Sequence, residues 1–265
     1  MTDASPQDAG GQGAQTLMRG LDVLDIVAQN GPIALRDLID RIGLSRSTTH
    51  RLASALVERG MLRLENQGYV LGSKLLWLDA QARDALSLPA VARPHLERLA
   101  REQFDAVNLA IRDELLVRYV DQVRGSRRIE VRSVIGETRP LASTGLGKAL
   151  MLDEGEGAWR AAYRRSKRDT HAAESEEAFV ARMATYRDLG VTFDIEENED
   201  RVRCVAAPIR GASGRIIGAL SLSSLPQYMD DARMKALVQP VRAVGEAIGL
   251  DFGWSKQGPD GARRH

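Results

Sequence analysis

Arg46, Ser47, Thr48, His50 and Arg51 crowd into one short run and are rich in hydrogen-bond donors. A guanidinium such as that of Arg51 can grip guanine O6 and N7 together. Hydroxyls such as those of Ser47 and Thr48 can satisfy phosphates from a helix start. The plainer alternative is an ordinary solvated helix face. Residues for covalent or metal chemistry are poorly placed by comparison. The four histidines are scattered, with His50 in the same run, His95 in a helix, His171 in a polar connector and His265 at the end. Neither they nor Cys204 show metal-ligand spacing, and there is no nucleophile turn of the GxSxG kind. We therefore expect no catalytic residues, no metal and no cofactor. Gly145-Leu146-Gly147-Lys148 suggests a phosphate loop but fails on spacing: Ala142 and Ala149 stand where glycine and serine or threonine belong.

The elements around Arg51 strengthen the reading. Leu17, Leu21, Leu24 and Val27 recur at helical spacing, predicting a helix from about Thr16 to Gln29 that Asn30-Gly31-Pro32 stops. A second helix spans Leu35 to Ile42, Gly43 turns the chain, and Ser45 suits the N-cap of a third. On that third helix Thr49, Leu52, Ala53 and Leu56 share one side, leaving Ser47, Arg51 and Ser54 on the other. Met61 to Leu64 and Tyr69 to Leu71 flank a polar, glycine-containing tip, which reads as a hairpin. Two short helices, a tight turn and a wing place double-stranded DNA first among the partners.

The remaining texture differs. A helix from Ser73 to about Leu86, ended by Pro89, leads into a half that mixes helices with β-type runs. Strands are expected at Val107–Ile111, Leu115–Val120, Ile129–Val134, Val191–Ile195, Arg203–Ile209 and Arg215–Ser221. Helices are expected at Val91–Gln103, Leu146–Leu152, Glu156–Arg165, Glu174–Leu189 and Asp230–Ile248. The irregular alternation implies an α+β fold with an antiparallel sheet. The expected organisation is a disordered tail (1–15), a winged helix-turn-helix (16–72), a linker helix (73–88), an α+β domain (89–252) and a C-terminal tail (253–265).

Bulk properties agree with a protein that binds nucleic acid locally. The net charge is +1, so attraction to DNA must come from a patch. Basic residues outnumber acidic ones between Arg36 and Lys74, whereas Asp194 to Asp200 is strongly acidic. The single cysteine fits a reducing cytoplasm. The first residues lack the apolar core of a signal peptide, and no apolar run is long enough to span a membrane.

Taken together, the chain resembles the IclR family of bacterial transcription regulators over about residues 16 to 250. The resemblance rests on Ser47-Thr48-Thr49-His50-Arg51-Leu52, Leu56-Val57-Glu58-Arg59-Gly60, Tyr69-Val70-Leu71-Gly72 and Ala92-Arg93-Pro94-His95-Leu96. Further along it rests on Gly145-Leu146-Gly147-Lys148-Ala149-Leu150 and Arg203-Cys204-Val205-Ala206-Ala207-Pro208. It implies a winged helix-turn-helix joined to a GAF-like effector domain, in dimers or dimers of dimers on operator DNA.

The resemblance also implies an effector pocket for a small carboxylate: a sugar acid, keto acid or aromatic acid. Gly145, Leu146, Asp194, Cys204, Ser221 and Ser223 match positions that line it. Arg128 stands where family members often carry an apolar residue; there it would favour a carboxylate, or else join Arg124 and Arg127 in a basic surface patch. Arg201 departs from the small residue common at its place. The alternatives are a sensor or protein-interaction module that does not bind DNA, and an enzyme acting on a small acid.

Overall fold

The computed structural model describes residues 8–166 and 174–255, and the chain divides into two units between Leu86 and Ser87. In the first unit, helix α1 (Asp8–Asn30) begins well before Thr16, so the stretch Asp8–Gln15, expected as tail, is helical. Its buried stripe is Val23 and Val27, while Leu17 and Leu21 lie exposed, against the periodicity read from sequence.

Helix α2 (Leu35–Ile42) ends at Gly43, whose φ of 67° supplies the left-handed turn that glycine adopts without strain. Helix α3 (Arg46–Glu58) starts at Ser45, whose hydroxyl accepts the Thr48 N–H at 3.3 Å. Strands β1 (Leu62–Glu65) and β2 (Gly68–Leu71) pair antiparallel as the wing, and α4 (Lys74–Ala85) follows. Val23, Val27, Ile33, Leu38, Leu52, Ala53, Leu62 and Tyr69 form one core that α1, α2, α3 and the wing share.

The second unit opens with α5 (Leu88–Gln103), in whose first turn Pro89 sits. Strands β3 (Ala106–Asp113), β4 (Leu116–Val123) and β5 (Thr138–Pro140) lead to α6 (Gly145–Leu150), α7 (Glu156–Ser166) and α8 (Glu176–Leu189). Strands β6 (Thr192–Ile195), β7 (Arg203–Arg210) and β8 (Ile216–Ser224) precede α9 (Asp231–Asp251). The six strands form one antiparallel sheet in the order β5-β4-β3-β8-β7-β6. The α+β expectation holds, with one change of membership. Ile129–Val134 is not a strand: despite its alternating pattern it forms a loop, and the edge place beside β4 goes to Thr138–Pro140.

Strand alternation gives the sheet two uses. Val107, Leu109, Val205, Ala207, Ile209, Leu220 and Leu222 face α5 and α9 in one core. Ala110, Ala206 and Ala219 face the other way and pack with α6, α7 and α8. The small residues admit α6 to close range. A Cβ on Gly147 would fall 2.2 Å from the Leu141 carbonyl oxygen, and one on Gly145 would fall 2.5 Å from Cys204 Sγ. Because backbone stands in the way at Gly147, Gly147→Ala should destabilise the chain by about 1–3 kcal/mol, the usual cost of overpacking. A urea midpoint equal to wild type would refute this close-packing account.

Candidate functional site

On α3 the chemistry-bearing residues and the packing residues separate cleanly. Thr49, Leu52 and Ala53 are buried, and Leu56 packs against the same core. Arg46, Ser47, His50 and Arg51 are exposed and Thr48 is half-buried. The Thr48 hydroxyl lies 2.9 Å from that of Ser45, and Thr49 Oγ1 donates to the Ser45 carbonyl at 3.1 Å. The first turn is thereby tied down by its own hydroxyls. The helix offers two guanidinium groups, an imidazole and a hydroxyl to whatever lies outside it.

The second unit holds a polar cleft of about 480 Å3, counting the space at its open mouth. Every strand of the sheet contributes a side chain: Arg139 from β5, Tyr119 from β4, Asn108 from β3, Ser223 from β8, Cys204 from β7 and Asp194 from β6. Ser223, Cys204 and Asp194 stand in register across three adjacent strands. Asn108 Nδ2 donates to Ser223 Oγ at 3.2 Å, and Gln122 Nε2 donates to Asn108 Oδ1 at 2.8 Å. The start of α6 closes one side. There Thr144 accepts the Gly147 N–H at 2.9 Å, and Thr192 Oγ1 donates to the Gly145 carbonyl at 2.7 Å.

Five of the residues singled out from sequence therefore meet in this cleft: Gly145, Leu146, Asp194, Cys204 and Ser223. Two do not. Ser221 lies one register step behind, its hydroxyl 3.4 Å from that of Ser223. Arg128 is exposed on the loop before β5 and takes no part in the lining. The cleft's cations are Arg132 and Arg139 instead. Sequence reading missed Arg139, although a lone arginine beside Pro140 and just before the Gly145 turn is a usable signal. Arg201, flagged as a departure, adopts a φ of 61° in the loop after β6. His171, like the residues beyond 255, lies outside the described residues.

Beneath the cleft runs a line of buried charge. Lys148, fully buried, places Nζ 2.7 Å from Glu197 Oε1, and Arg182 donates to both oxygens of Glu197 at 2.6 and 2.8 Å. The Glu197 backbone N–H donates to Asp194 Oδ1 at 2.9 Å. Burial acts against ionised Glu197, but Lys148 and Arg182 still hold its carboxyl below the usual range. Burial dominates at Asp194, and lifts its carboxyl to about 6 despite the nearby Lys148. Burial likewise pushes the Cys204 thiol and the Tyr119 phenol up, so both stay protonated and act as neutral groups. Among the described residues no cluster of His, Cys, Asp or Glu could hold a metal ion. No helix among them is long and apolar enough to cross a membrane.

A winged helix-turn-helix unit followed by an α+β unit with a polar cleft defines a two-part, ligand-sensing regulator. Residues 16–70 match the IclR helix-turn-helix domain, and residues 80–250 match the family described as bacterial transcriptional regulator IclR C-terminal. The chain belongs to the IclR family of bacterial transcriptional regulators. It is 30% identical over 246 residues to the HTH-type transcriptional regulator XynR of Escherichia coli, covering 91% of this chain and 98% of that one. It is 29% identical over 262 residues to the DNA-binding transcriptional repressor YiaJ of the same organism, covering 94% and 92%. Its fold superimposes on the crystal structure of Pseudomonas aeruginosa HmgR with a TM-score of 0.74 at 19% identity, covering 91% and 99%. XynR and YiaJ are transcriptional regulators, and the family assignment sets the enzyme alternative aside.

The buried carboxyl of Asp194 has a consequence for stability. With its value raised to about 6, the folded chain keeps a proton that the unfolded chain has already lost. This contribution is complete below the ordinary aspartate range and disappears as pH rises through about 6. Glu197, held low, acts in the opposite sense: its contribution is present above the ordinary glutamate range and lost as pH falls. Asp194→Asn removes only the first, so its stability relative to wild type should improve between about pH 4 and pH 7. Urea unfolding across that range measures it, and a difference independent of pH would contradict the buried-acid account.

Proposed function

We propose that this chain is a ligand-responsive regulator that reads operator DNA with α3 and senses a small carboxylate in the cleft of its second unit. The carrying observation is the division of α3 itself. Thr49, Leu52 and Ala53 anchor it in the core, leaving Arg46, Ser47, His50 and Arg51 exposed beside the half-buried Thr48. Arg51 is assigned to base edges, because its fork matches guanine bidentately. Ser47 and Thr48, at the helix start, are assigned to phosphates, with Arg46 and His50 flanking them. The cleft supports sensing: it brings hydroxyl, amide and guanidinium groups together at one open concavity.

A second copy of the chain is the proposed assembly partner, giving a dimer or a dimer of dimers. Exposed Leu17, Met18 and Leu21 on α1, and Leu76, Trp77 and Leu78 on α4, support this, since such apolar clusters favour burial. Two copies present two recognition helices, which suits a roughly palindromic operator. The place of action is the cytoplasm, where DNA is available. The ligand acts by linkage, binding one quaternary arrangement better than another.

Selecting high-affinity sites from random duplex DNA supplies an operator for the test. Arg51→Ala should then lose specific affinity by roughly 1–3 kcal/mol, the worth of one bidentate base contact, with an unchanged melting temperature. Wild-type affinity should also fall steeply with added salt, as phosphate contacts require. Full specific affinity in Arg51→Ala would remove the base-reading assignment.

A further inference from the structure

The cleft has electrical polarity along the sheet. At one edge, β5 contributes Arg139; at the other, β6 contributes Asp194; the neutral row Asn108, Ser223 and Cys204 lies between. Tyr119 feels both ends, since Asp194 raises its phenol and Arg139 lowers it. Arg139 is better fixed than the cleft's other cation. It sits on a strand, in register with buried Val117, and its side chain is 41% exposed. Arg132 lies on the preceding loop, is 71% exposed and leans toward Glu130 at 3.3 Å.

Arg139 already holds a carboxylate. Glu137, two residues earlier and also in the lining, places Oε1 2.5 Å from Arg139 Nη2. A guanidinium at a cleft wall, bound to an acid of its own chain, is an anion seat with an internal occupant. The far end suits a different group. Asp194 accepts hydrogen bonds there, and Ser223 and Asn108 can both donate and accept, which fits hydroxyls better than charge. Glu137, Asp194 and Glu199 together would repel a second ligand carboxylate.

We propose that Arg139 anchors the carboxylate of a small polyhydroxy monoacid, and that Glu137 occupies this anchor until the ligand displaces it. The ligand's hydroxyls then reach the row formed by Asn108, Ser223 and Asp194. This rests on the reading of the cleft as the effector site and sharpens it to one anchor, one competitor and one class of acid. Glu137 lowers affinity for every acid, so weak anions do not trigger the switch.

The test uses the full chain with D-gluconate, D-glycerate, D-glucarate, pyruvate and benzoate, each acid set against its neutral amide. Binding is read by thermal shift and located by hydrogen exchange. Gluconate or glycerate should protect 192–195 and 203–204, and should bind more tightly than glucarate, benzoate or any amide. Arg139→Gln should weaken that binding by at least about tenfold, the worth of a charge-assisted hydrogen bond. Arg139→Lys should recover part of it, and Glu137→Gln should strengthen it by about fivefold. Protection of the same strands with undiminished affinity in Arg139→Gln would overturn the anchor while leaving the cleft as the effector site. Undiminished amide binding, or affinity in Glu137→Gln no higher than wild type, would likewise overturn the seat or its occupant. Protection elsewhere, or no acid bound at all, would overturn the effector-site reading with it.

Discussion

A lysine with no exposed surface sets the terms for the sensing unit. Placing an ammonium group in a protein interior costs several kcal/mol unless an opposite charge meets it, and Lys148 is met by Glu197 at 2.7 Å. Much of the cleft's wall follows from that pair. Glu197 lies in the loop after β6, so neutralising Lys148 pins the loop that supplies Asn198, Glu199 and Val202 to the lining. Its backbone N–H meanwhile binds Asp194, and its second oxygen engages Arg182 from α8. One residue thus ties α6, α8 and β6 together behind the cleft. Arg182 extends the chain of charge to Glu174, so Glu197 and Arg182 each meet two opposite charges.

The same region shows how a polar cleft coexists with a tight apolar core. The sheet spends one set of alternating positions on α5 and α9, and the set between them divides along the strands. Near α6 that second set is alanine, at Ala206 and Ala219; toward the mouth it becomes Cys204 and Ser223. Helix α6 can approach the sheet only because Gly145 carries no side chain, while Gly147 leaves room for the preceding turn at Leu141. The approach brings the Gly145 N–H to Cys204 Sγ, giving the thiol a backbone donor. Packing density and site geometry are therefore a single property of this α6–sheet contact.

What could be read from the sequence follows the range of the interactions responsible. Helices α2 and α3, the Ser45 cap and the wing depend on neighbours a few residues away, and their limits were legible. The segment Ile129–Val134 has strand alternation too, but a strand exists only where a partner offers its edge. Strand β4 pairs with Thr138–Pro140 instead, a choice made by register rather than by local propensity. That choice also moves the cation from Arg128 to Arg139. Gly145, Asp194, Cys204 and Ser223 were legible through the family motif. Lys148 was read as part of a failed phosphate loop and of the family motif, but its pairing with Glu197 was not legible, because the two lie 49 residues apart along the chain.

Net charge limits how the DNA-reading end can work. A chain at +1 gains little counterion-release affinity beyond what the cations of α3 and the wing supply locally. Arg46, Arg51 and Arg63 are too few for one unit to hold an operator strongly by charge. In the proposed dimer the second recognition helix binds as a tethered group, at an effective concentration set by how the two copies are held. Affinity then depends steeply on quaternary geometry, and little energy is needed to control it. A ligand that prefers one arrangement by about 1–3 kcal/mol changes operator affinity by roughly 5- to 150-fold. If the proposed cleft is the effector site, a preference of that size is all it has to supply. A switch built this way needs no tight effector, only one whose binding differs between the two arrangements.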